Sequence, residues 1–148
     1  DRPQVRHQCG EKNHQAALAA YETSGVEASV EPFIRDMAEA YEWADVVICR
    51  SGALTVSELC AAGVPAILVP FPHAVDDHQT RNGEHMVKAG GALMVAQPEL
   101  TPQLLADALA ELSADRNKLL TMAKAARSLA RPDATERVVN YCLEAANG

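Results

Sequence analysis

The stretch ADVVICRSGALTVSELCAAGVPAILVP, residues 44–70, decides the fold. It opens with an apolar, β-branched run, Val46–Cys49, which is short enough to be a buried parallel strand. A helix is predicted to begin near residues 53–55, and Gly63 stands where a residue that tolerates positive φ ends a helix. Ala66–Val69 is predicted to be a second buried strand. The stretch therefore predicts one strand–loop–helix–strand unit.

The R-S-G-A loop at residues 50–53 follows the carboxyl end of the first of these strands. Open α/β sheets bind ligands there, because helix N-termini present free N–H groups and a partial positive charge. One interpretation is a tight turn with a surface arginine and a capped helix, since Thr55 and Glu58 have the T-x-x-E spacing of a capping box. The other is a nucleotide-sugar site, with backbone N–H groups of residues 53–55 on a diphosphate and Glu58 on a ribose diol. Both stay open, and they conflict, because a carboxylate folded back onto the Thr55 N–H is not free to bind a ribose.

The rest of the chain alternates predicted strands with predicted helices. Strands are predicted at Val5–Cys9, Ala28–Val30 and Leu93–Val95, and helices at Lys12–Tyr21, Arg35–Tyr41, His78–Lys88, Gln103–Leu112, Asp115–Leu129 and Pro132–Ala145. Thr101 and Pro102 supply an N-cap and a proline at the first helical position. This alternation predicts an α/β fold, a Rossmann-like parallel sheet with helices on both faces.

The first predicted strand lacks the loop that usually follows it. A doubly wound domain normally starts with a strand and a glycine-rich phosphate loop. Here the strand leads into residues 10–13, GEKN, which contain one glycine. Either the fold does not use such a loop, or the chain begins after it.

Composition limits the classes of partner. The 148 residues suit one domain or one lobe of a larger enzyme, and the net charge of −7 argues against nucleic acid and against unaided binding to anionic membranes. The four cysteines, Cys9, Cys49, Cys60 and Cys142, form no C-x-x-C pair, which favours reduced thiols in a cytosolic protein. We expect neither a signal peptide nor a transmembrane segment, since no apolar run has the necessary length.

A second polar group follows the central unit. Its members are His73, Asp76, Asp77, His78, Gln79 and Asn82. H-x-x-D-D-H matches neither the oxygen-rich ligand sets of hard cations nor the spacings of zinc sites, so no metal site is predicted. We expect Asp77 to cap the helix at His78, and His78 and Gln79 to point into the cleft. Serine–histidine–aspartate catalysis is not supported, since the sequence has no G-x-S-x-G elbow.

Phe33 and Ile34 form a weaker signal in the turn before the helix predicted at Arg35–Tyr41. Apolar residues in such a turn are usually part of the core. They could also flank a base, with backbone groups reading its edge. Met37 and Trp43 are more often packing residues than site residues.

At these residues the chain resembles a known family. WADVVICRSGALTVSELCAAGVPAILVPFPH, followed by DHQTRN and later PDATERV, is similar to the donor-binding half of the MurG family. The resemblance runs from the HQCG strand to the last helix. These bacterial N-acetylglucosaminyltransferases add GlcNAc to the membrane-bound lipid I of peptidoglycan synthesis, giving lipid II. The resemblance implies a GT-B enzyme with two Rossmann-like lobes that uses UDP-GlcNAc, with no essential metal and no cofactor.

The resemblance also assigns site residues. It places the uracil at Phe33 and Ile34, with Met37 close by, and the ribose hydroxyls at Glu58. Arg50 stabilises the departing diphosphate, during displacement with inversion, and is the one residue here with a role in the chemistry. The residues of the loop and first helical turn that face the diphosphate are Ser51, Gly52, Ala53, Leu54 and Thr55. His78 and Gln79 stand at paired glutamines that recognise the GlcNAc hydroxyls, with Asn82 nearby; His78 departs from that pair.

The resemblance implies that residues 1–148 are the C-terminal lobe, incomplete at its N-terminus. The acceptor lobe, with its presumed general base and membrane patch, would precede it, together with the innermost strand and the glycine-rich loop. The implied place is the cytoplasmic face of the bacterial inner membrane, as a peripheral protein, and this piece alone is expected to be inactive. Two alternatives stay open: a free-standing nucleotide-sugar-binding subunit, and a non-catalytic nucleotide-binding module.

Overall fold

The structure, a computed structural model, describes residues 2–72 and 77–147. The chain divides into two compact units, Asp1–Ala40 and Tyr41–Gly148. Both units are built from parallel strands and helices that alternate along the chain. The α/β class predicted from the alternating pattern is therefore confirmed.

The first unit contains a parallel pair of strands and one long helix. Its elements are β1 (Val5–Gln8), a 3-10 turn (Glu11–Asn13), α1 (His14–Ser24) and β2 (Ala28–Glu31). Val5 pairs with Ala28 in the parallel register of β1 and β2. Helix α1 ends at Gly25, whose φ of 62° is the left-handed conformation that glycine adopts without strain. Helix α2 (Met37–Trp43) begins in this unit and ends in the second.

The second unit contains a three-stranded parallel sheet and five helices among its described residues. Its elements are β3 (Val47–Cys49), α3 (Ala53–Ala62), β4 (Ala66–Leu68), α4 (His78–Lys88), β5 (Ala92–Met94), α5 (Pro102–Ala114), α6 (Arg116–Ser128) and α7 (Ala134–Asn147). The strand order is β3-β4-β5, and a 3-10 turn, Gln97–Glu99, follows β5.

The predicted elements are all present, with ends that differ by at most three residues. Within the described ranges, backbone ladders join β1 to β2, and β3 to β4 to β5. The predicted parallel strands with flanking helices are confirmed, and among the described residues these strands fall into two sheets. Alternation along the chain predicts that strands run parallel, whereas which strands pair depends on contacts distant in sequence.

Strand β4 forms the centre of the core. Its three residues have 0% exposure, and Ile67 packs in a cluster with Leu112 of α5 and Met122 of α6. The prediction of a buried strand is confirmed for β4 and wrong for β3, where Ile48 is 43% exposed. Among the described residues β3 lies at the edge of its sheet and pairs with β4 alone.

Local side-chain contacts start and stop the helices of the second unit. The Thr101 hydroxyl accepts a hydrogen bond from the Leu104 N–H at 3.1 Å, and the Asp115 carboxylate accepts from the Asn117 N–H at 2.9 Å. At the end of α3, Gly63 has φ 72°. The predicted cap at Thr101 and the predicted stop at Gly63 are confirmed, whereas Asp115, predicted as the first residue of its helix, is the N-cap before it.

Gly91, the residue before β5, lies against Ala126 near the C-terminal end of α6. A Cβ built on Gly91 would lie 2.9 Å from the backbone nitrogen and Cα of Ala126. A Cβ on Gly83 would be equally near the Met94 sulfur, but that atom ends a flexible side chain. The backbone of α6 cannot move aside locally, whereas the side chain of Met94 can.

We therefore expect Gly91→Ala to lower the free energy of unfolding by about 3 kcal/mol, since overpacking against backbone forces the helix away from the strand. Gly83→Ala should cost less, because Met94 can change rotamer and alanine favours the helix. Urea denaturation of the two variants measures both effects. An equal or smaller loss for Gly91→Ala would contradict this account of the packing.

Candidate functional site

The loop between β3 and α3 ends at a helix whose first turn is open. Gly52 is the N-cap residue, with φ −62° and ψ 149°, and Val56 is the first residue of α3 to donate back to its carbonyl, at 2.9 Å. No side chain of the described residues caps this helix. The backbone N–H groups of Ala53, Leu54 and Thr55 therefore point out of the helix without an intrahelical acceptor. Leu54 beside them is 80% exposed.

The structure rules out the capping-box interpretation, one of the two left open by the sequence. Helix α3 begins at Ala53, so Thr55 lies inside the first turn instead of at the N-cap. A T-x-x-E pattern caps a helix only when its threonine is the last non-helical residue. Glu58 is exposed and accepts a hydrogen bond from the Tyr41 hydroxyl at 2.9 Å. The carboxylate is thus not folded back onto the Thr55 N–H, and the structural objection to a ribose contact disappears.

The guanidinium of Arg50 is held by uncharged oxygen atoms. Its Nη1 donates to the carbonyl oxygens of Val69 and Pro70, both at 3.1 Å, and its Nη2 donates to Gln97 Oε1 at 2.6 Å. The Phe71 ring lies 5.4 Å from the guanidinium carbon, within range of a cation–π contact. These contacts fix Arg50 beyond the carboxyl end of β4.

Ser51 supports the loop from inside. It has 0% exposure, and its hydroxyl has no hydrogen-bond partner in the described part of the chain. Asn82 Nδ2 donates to the Ser51 carbonyl oxygen at 3.3 Å. The Ser51 side chain therefore cannot touch a ligand in this conformation, and Asn82 supports the loop that carries Arg50.

The first turn of α4 differs in part from the prediction. Asp77 precedes His78 as expected, but its φ is 53° and its carboxylate accepts from the Thr80 hydroxyl at 2.5 Å instead of capping backbone N–H groups. The left-handed backbone turns the Asp77 side chain away from those groups. Gln79 Oε1 accepts from the Phe71 N–H at 3.0 Å, so its amide nitrogen is the part left to bind a hydroxyl. His78 is exposed, whereas His73 and Asp76 lie outside the described residues.

The residues predicted at the base lie in the first unit. Phe33 is 67% exposed, Ile34 is 7% exposed, and Met37 is the half-buried first residue of α2. The Ile34 N–H donates to Gln8 Oε1 at 2.8 Å, so the backbone edge of Ile34 is already held by a side chain. The prediction that Ile34 reads a base stays a prediction. The other predicted site residues, from Arg50 to Asn82, all lie in the second unit.

Four residues that the sequence pattern did not single out contact predicted site residues. They are Gln8 against Ile34, Tyr41 against Glu58, and Gln97 and Phe71 against Arg50. Gln97 is 47 positions from Arg50, so no local spacing could have indicated that contact. Tyr41 is the last residue of the helix predicted at Arg35–Tyr41, but its sequence neighbours gave no indication of a contact with Glu58.

A groove of about 320 Å³ lies next to the anchors of Arg50. Its lining includes Pro70, Phe71, Met94, Gln97 and Glu99, which are the ends of β4 and β5 and the turn that follows β5. Across residues 2–72 and 77–147 no group of three or more histidine, cysteine, aspartate or glutamate side chains could hold a metal ion. In the same ranges no helix is both long and apolar enough to cross a membrane.

The two sides of the Tyr41–Glu58 contact have different environments. Tyr41 is 8% exposed, while Glu58 is exposed. Burial and the hydrogen bond to the Glu58 carboxylate raise the pKa of Tyr41 above its ordinary value of 10.0.

Burial also raises the pKa of the Cys49 thiol to about 11. All four cysteines are free thiols, as predicted.

The chain is similar to known glycosyltransferases along most of its length. A model of the glycosyltransferase family 28 C-terminal domain matches residues 2–138. The UDP-N-acetylglucosamine--N-acetylmuramyl-(pentapeptide) pyrophosphoryl-undecaprenol N-acetylglucosamine transferase of Marinobacter nauticus is 80% identical over 148 residues, which are 100% of this chain and 41% of that protein. The crystal structure of Acinetobacter baumannii MurG matches with a TM-score of 0.89 and 43% identity, over 95% of this chain and 43% of that one.

A more distant structure shares the fold alone. The glycosyltransferase VinC, solved in complex with dTDP, matches with a TM-score of 0.68 and 19% identity, over 100% of this chain and 43% of that chain. The chain thus spans 41% of the length of the Marinobacter relative and 43% of each of the two solved structures. The architecture is that of one lobe of the GT-B glycosyltransferases.

The raised pKa of Tyr41 predicts how stability depends on alkaline pH. Its contribution is fully present below the unfolded pKa of about 10 and is lost as the pH rises towards the folded pKa, because only the unfolded chain then releases the proton. Above pH 10 we expect the free energy of unfolding to fall more steeply for the natural chain than for Tyr41→Phe, by at most about 1.4 kcal/mol per pH unit.

Urea denaturation at several pH values between 9 and 11 measures the two slopes. Tyr141→Phe, which removes the hydroxyl of a side chain that is 65% exposed, is the control for loss of a phenol. Parallel curves for the natural chain and Tyr41→Phe would contradict the prediction.

Proposed function

Since the chain belongs to the glycosyltransferase family 28 C-terminal domain family, we propose that it is the donor-binding part of an inverting N-acetylglucosaminyltransferase. The reaction moves GlcNAc from UDP-GlcNAc to undecaprenyl-pyrophosphoryl-MurNAc-pentapeptide, which converts lipid I to lipid II. The observation that carries the proposal is the uncapped first turn of α3, with Glu58 on the same helix and Arg50 just before it. The name and the 80% identity of the Marinobacter relative support the substrate.

Helix α3 provides two contacts for the nucleotide. The N–H groups of Ala53, Leu54 and Thr55 bind the diphosphate, which the positive end of the helix dipole attracts. Glu58 lies three and four residues after Thr55 and Leu54, so all three share one face of the helix. The rise from Leu54 to Glu58 is roughly 6 Å, about the separation of a phosphate from the hydroxyls of the adjoining ribose.

Arg50 acts on the leaving group. A hydroxyl of the acceptor gives its proton to a general base of the preceding lobe and attacks the anomeric carbon. The bond from that carbon to the diphosphate oxygen breaks, and its electron pair goes to that oxygen with inversion at carbon. The guanidinium and the first turn of α3 stabilise the negative charge that develops on the departing UDP. The hydrogen bonds to Val69, Pro70 and Gln97 keep the charge in place before the reaction begins.

The other ends of the sugar donor meet the remaining predicted residues. We propose that the uracil lies at Phe33 and Ile34, near Met37, and that the GlcNAc hydroxyls meet the first turn of α4. There Gln79 offers its amide nitrogen and His78 an exposed ring. Asn82 and Ser51 support the loop between β3 and α3, with Asn82 donating to the Ser51 carbonyl oxygen.

The rest of the activity belongs to a longer protein. We propose that residues 1–148 form a C-terminal lobe, and that a preceding lobe supplies the acceptor site, the general base and the contact with the membrane. The whole protein then works as a peripheral enzyme on the cytoplasmic face of the bacterial inner membrane, in peptidoglycan synthesis, on which cell shape and division depend. No metal or cofactor enters this proposal, and nucleic acid is not a partner.

Glu58→Ala tests the proposal in the full-length protein. We expect it to weaken UDP-GlcNAc binding at least tenfold, because the ribose hydroxyls lose a charged acceptor, with the protein still folded as shown by a cooperative thermal transition. Titration calorimetry with UDP-GlcNAc, UDP and ADP measures affinity and base preference.

Glu22→Ala is the matched control, since it removes an exposed helical carboxylate from α1. Selective binding of the two uridine ligands, lost with Glu58→Ala and kept with Glu22→Ala, is the expected pattern. Equal affinity of the natural protein and Glu58→Ala would contradict the donor site and favour a module that does not bind nucleotide sugars.

Arg50→Lys tests the role in the chemical step. Lysine keeps the charge, but its single nitrogen cannot reproduce the planar fork in which Nη1 and Nη2 of Arg50 bind different partners. We expect kcat to fall about 10- to 100-fold with a much smaller change in KM, because the contact matters most in the transition state. Initial rates with varied UDP-GlcNAc give both constants, and an increase confined to KM would argue against leaving-group stabilisation.

A further inference from the structure

We propose that Tyr41 is a positioning residue for the sugar donor, holding the Glu58 carboxylate in the orientation that binds the ribose diol. The inference rests on the proposed function of Glu58. Tyr41 lies in the last turn of α2, and its hydroxyl donates to Glu58 Oε2 at 2.9 Å. Both residues belong to the second unit.

The geometry leaves the carboxylate able to bind a diol. An ionised carboxylate has two oxygens and about four lone-pair sites, and it can only accept hydrogen bonds. The Tyr41 hydroxyl occupies one site on Oε2, so the other oxygen and the rest of Oε2 are left for two vicinal hydroxyls. One fixed contact therefore selects the orientation without using up the capacity to bind.

The exposed fractions of Tyr41 and Glu58 indicate that Tyr41 orders the side chain of Glu58. Tyr41 is 8% exposed, so packing fixes its ring, whereas Glu58 is exposed and has three rotatable side-chain bonds of its own. A free glutamate loses much of its rotamer freedom when it binds a ligand. The buried phenol removes that freedom beforehand, which favours binding by preorganisation.

The hydroxyl is not needed for packing. A phenylalanine would fill the same space around the ring, whereas the phenol oxygen makes its hydrogen bond to the carboxylate of an exposed residue. The low exposure and the carboxylate both favour the neutral phenol, and they raise its pKa. Tyr41 is therefore a hydrogen-bond donor throughout the physiological pH range.

The test compares two ligands in the full-length protein. UDP carries the ribose diol, whereas 2′,3′-dideoxyuridine diphosphate lacks it. Calorimetry measures both dissociation constants for the natural protein, Tyr41→Phe, Glu58→Gln and the double variant. We expect Tyr41→Phe to weaken UDP about tenfold and to leave the dideoxy ligand unchanged, so that the preference for UDP shrinks.

The double variant shows whether Tyr41 acts through Glu58. In the Glu58→Gln background we expect Tyr41→Phe to add nothing to the loss of UDP affinity. Tyr21→Phe removes a partly buried hydroxyl that contacts His7 at 3.3 Å in the first unit, and it should leave the ratio of the two constants unchanged. A purely structural role for Tyr41 would weaken both ligands equally and would overturn the inference.

The measured preference for UDP distinguishes failure of the Glu58 ribose contact from failure of the Tyr41 positioning role. If Glu58→Gln keeps the natural preference for UDP, the ribose contact itself is wrong, and both proposals fall. If Glu58→Gln removes that preference and Tyr41→Phe retains it, only the role of Tyr41 is refuted. Should Tyr41→Phe not fold, 3-fluorotyrosine at position 41 keeps the shape and strengthens the donor; a preference for UDP that does not change would then overturn the inference.

Discussion

Burial of β4 is the constraint on which the site depends. Its three residues are inaccessible to solvent between β3 and β5, and the chain leaves the sheet directly after them. The carbonyl oxygens of Val69 and Pro70 emerge at that end and receive the guanidinium of Arg50. Since core burial fixes those carbonyls, it also fixes the arginine. A cavity in the cluster of Ile67, Leu112 and Met122 would thus be felt at the surface loop.

Two features of α3 complement each other. An uncapped first turn is a local weakness, because N–H groups that no side chain satisfies must be left to water or a ligand. Glycine at position 52 leaves these N–H groups uncapped, whereas serine, threonine or aspartate would have capped the helix well. Farther along the same helix, the buried Tyr41 holds Glu58. The helix is thus left open at its first turn, where we propose that the diphosphate binds, and is restrained at Glu58, where we propose that the ribose diol binds.

Sequence reasoning succeeded where the determining contacts are local. The cap at Thr101, the stop at Gly63 and the strand–loop–helix order around Arg50 all follow from a few neighbouring residues. It failed where a pattern is ambiguous or the contact is distant. T-x-x-E at Thr55 looks the same whether or not a helix has already begun, and the exposure of Ile48 depends on the position of β3 in the sheet. The Arg50–Gln97 and Tyr41–Glu58 contacts span 47 and 17 residues, beyond any spacing rule.

The partners of Arg50 also determine its electric field. A guanidinium has five N–H donors, and three hydrogen bonds here go to amide oxygens, which are dipoles and not ions. Arg50 forms no ion pair with a carboxylate of the described residues. No carboxylate of the described residues therefore neutralises the positive charge of Arg50, although the net charge of the chain is −7. An approaching dianion meets a local field of the opposite sign to the average, which makes its capture sensitive to ionic strength.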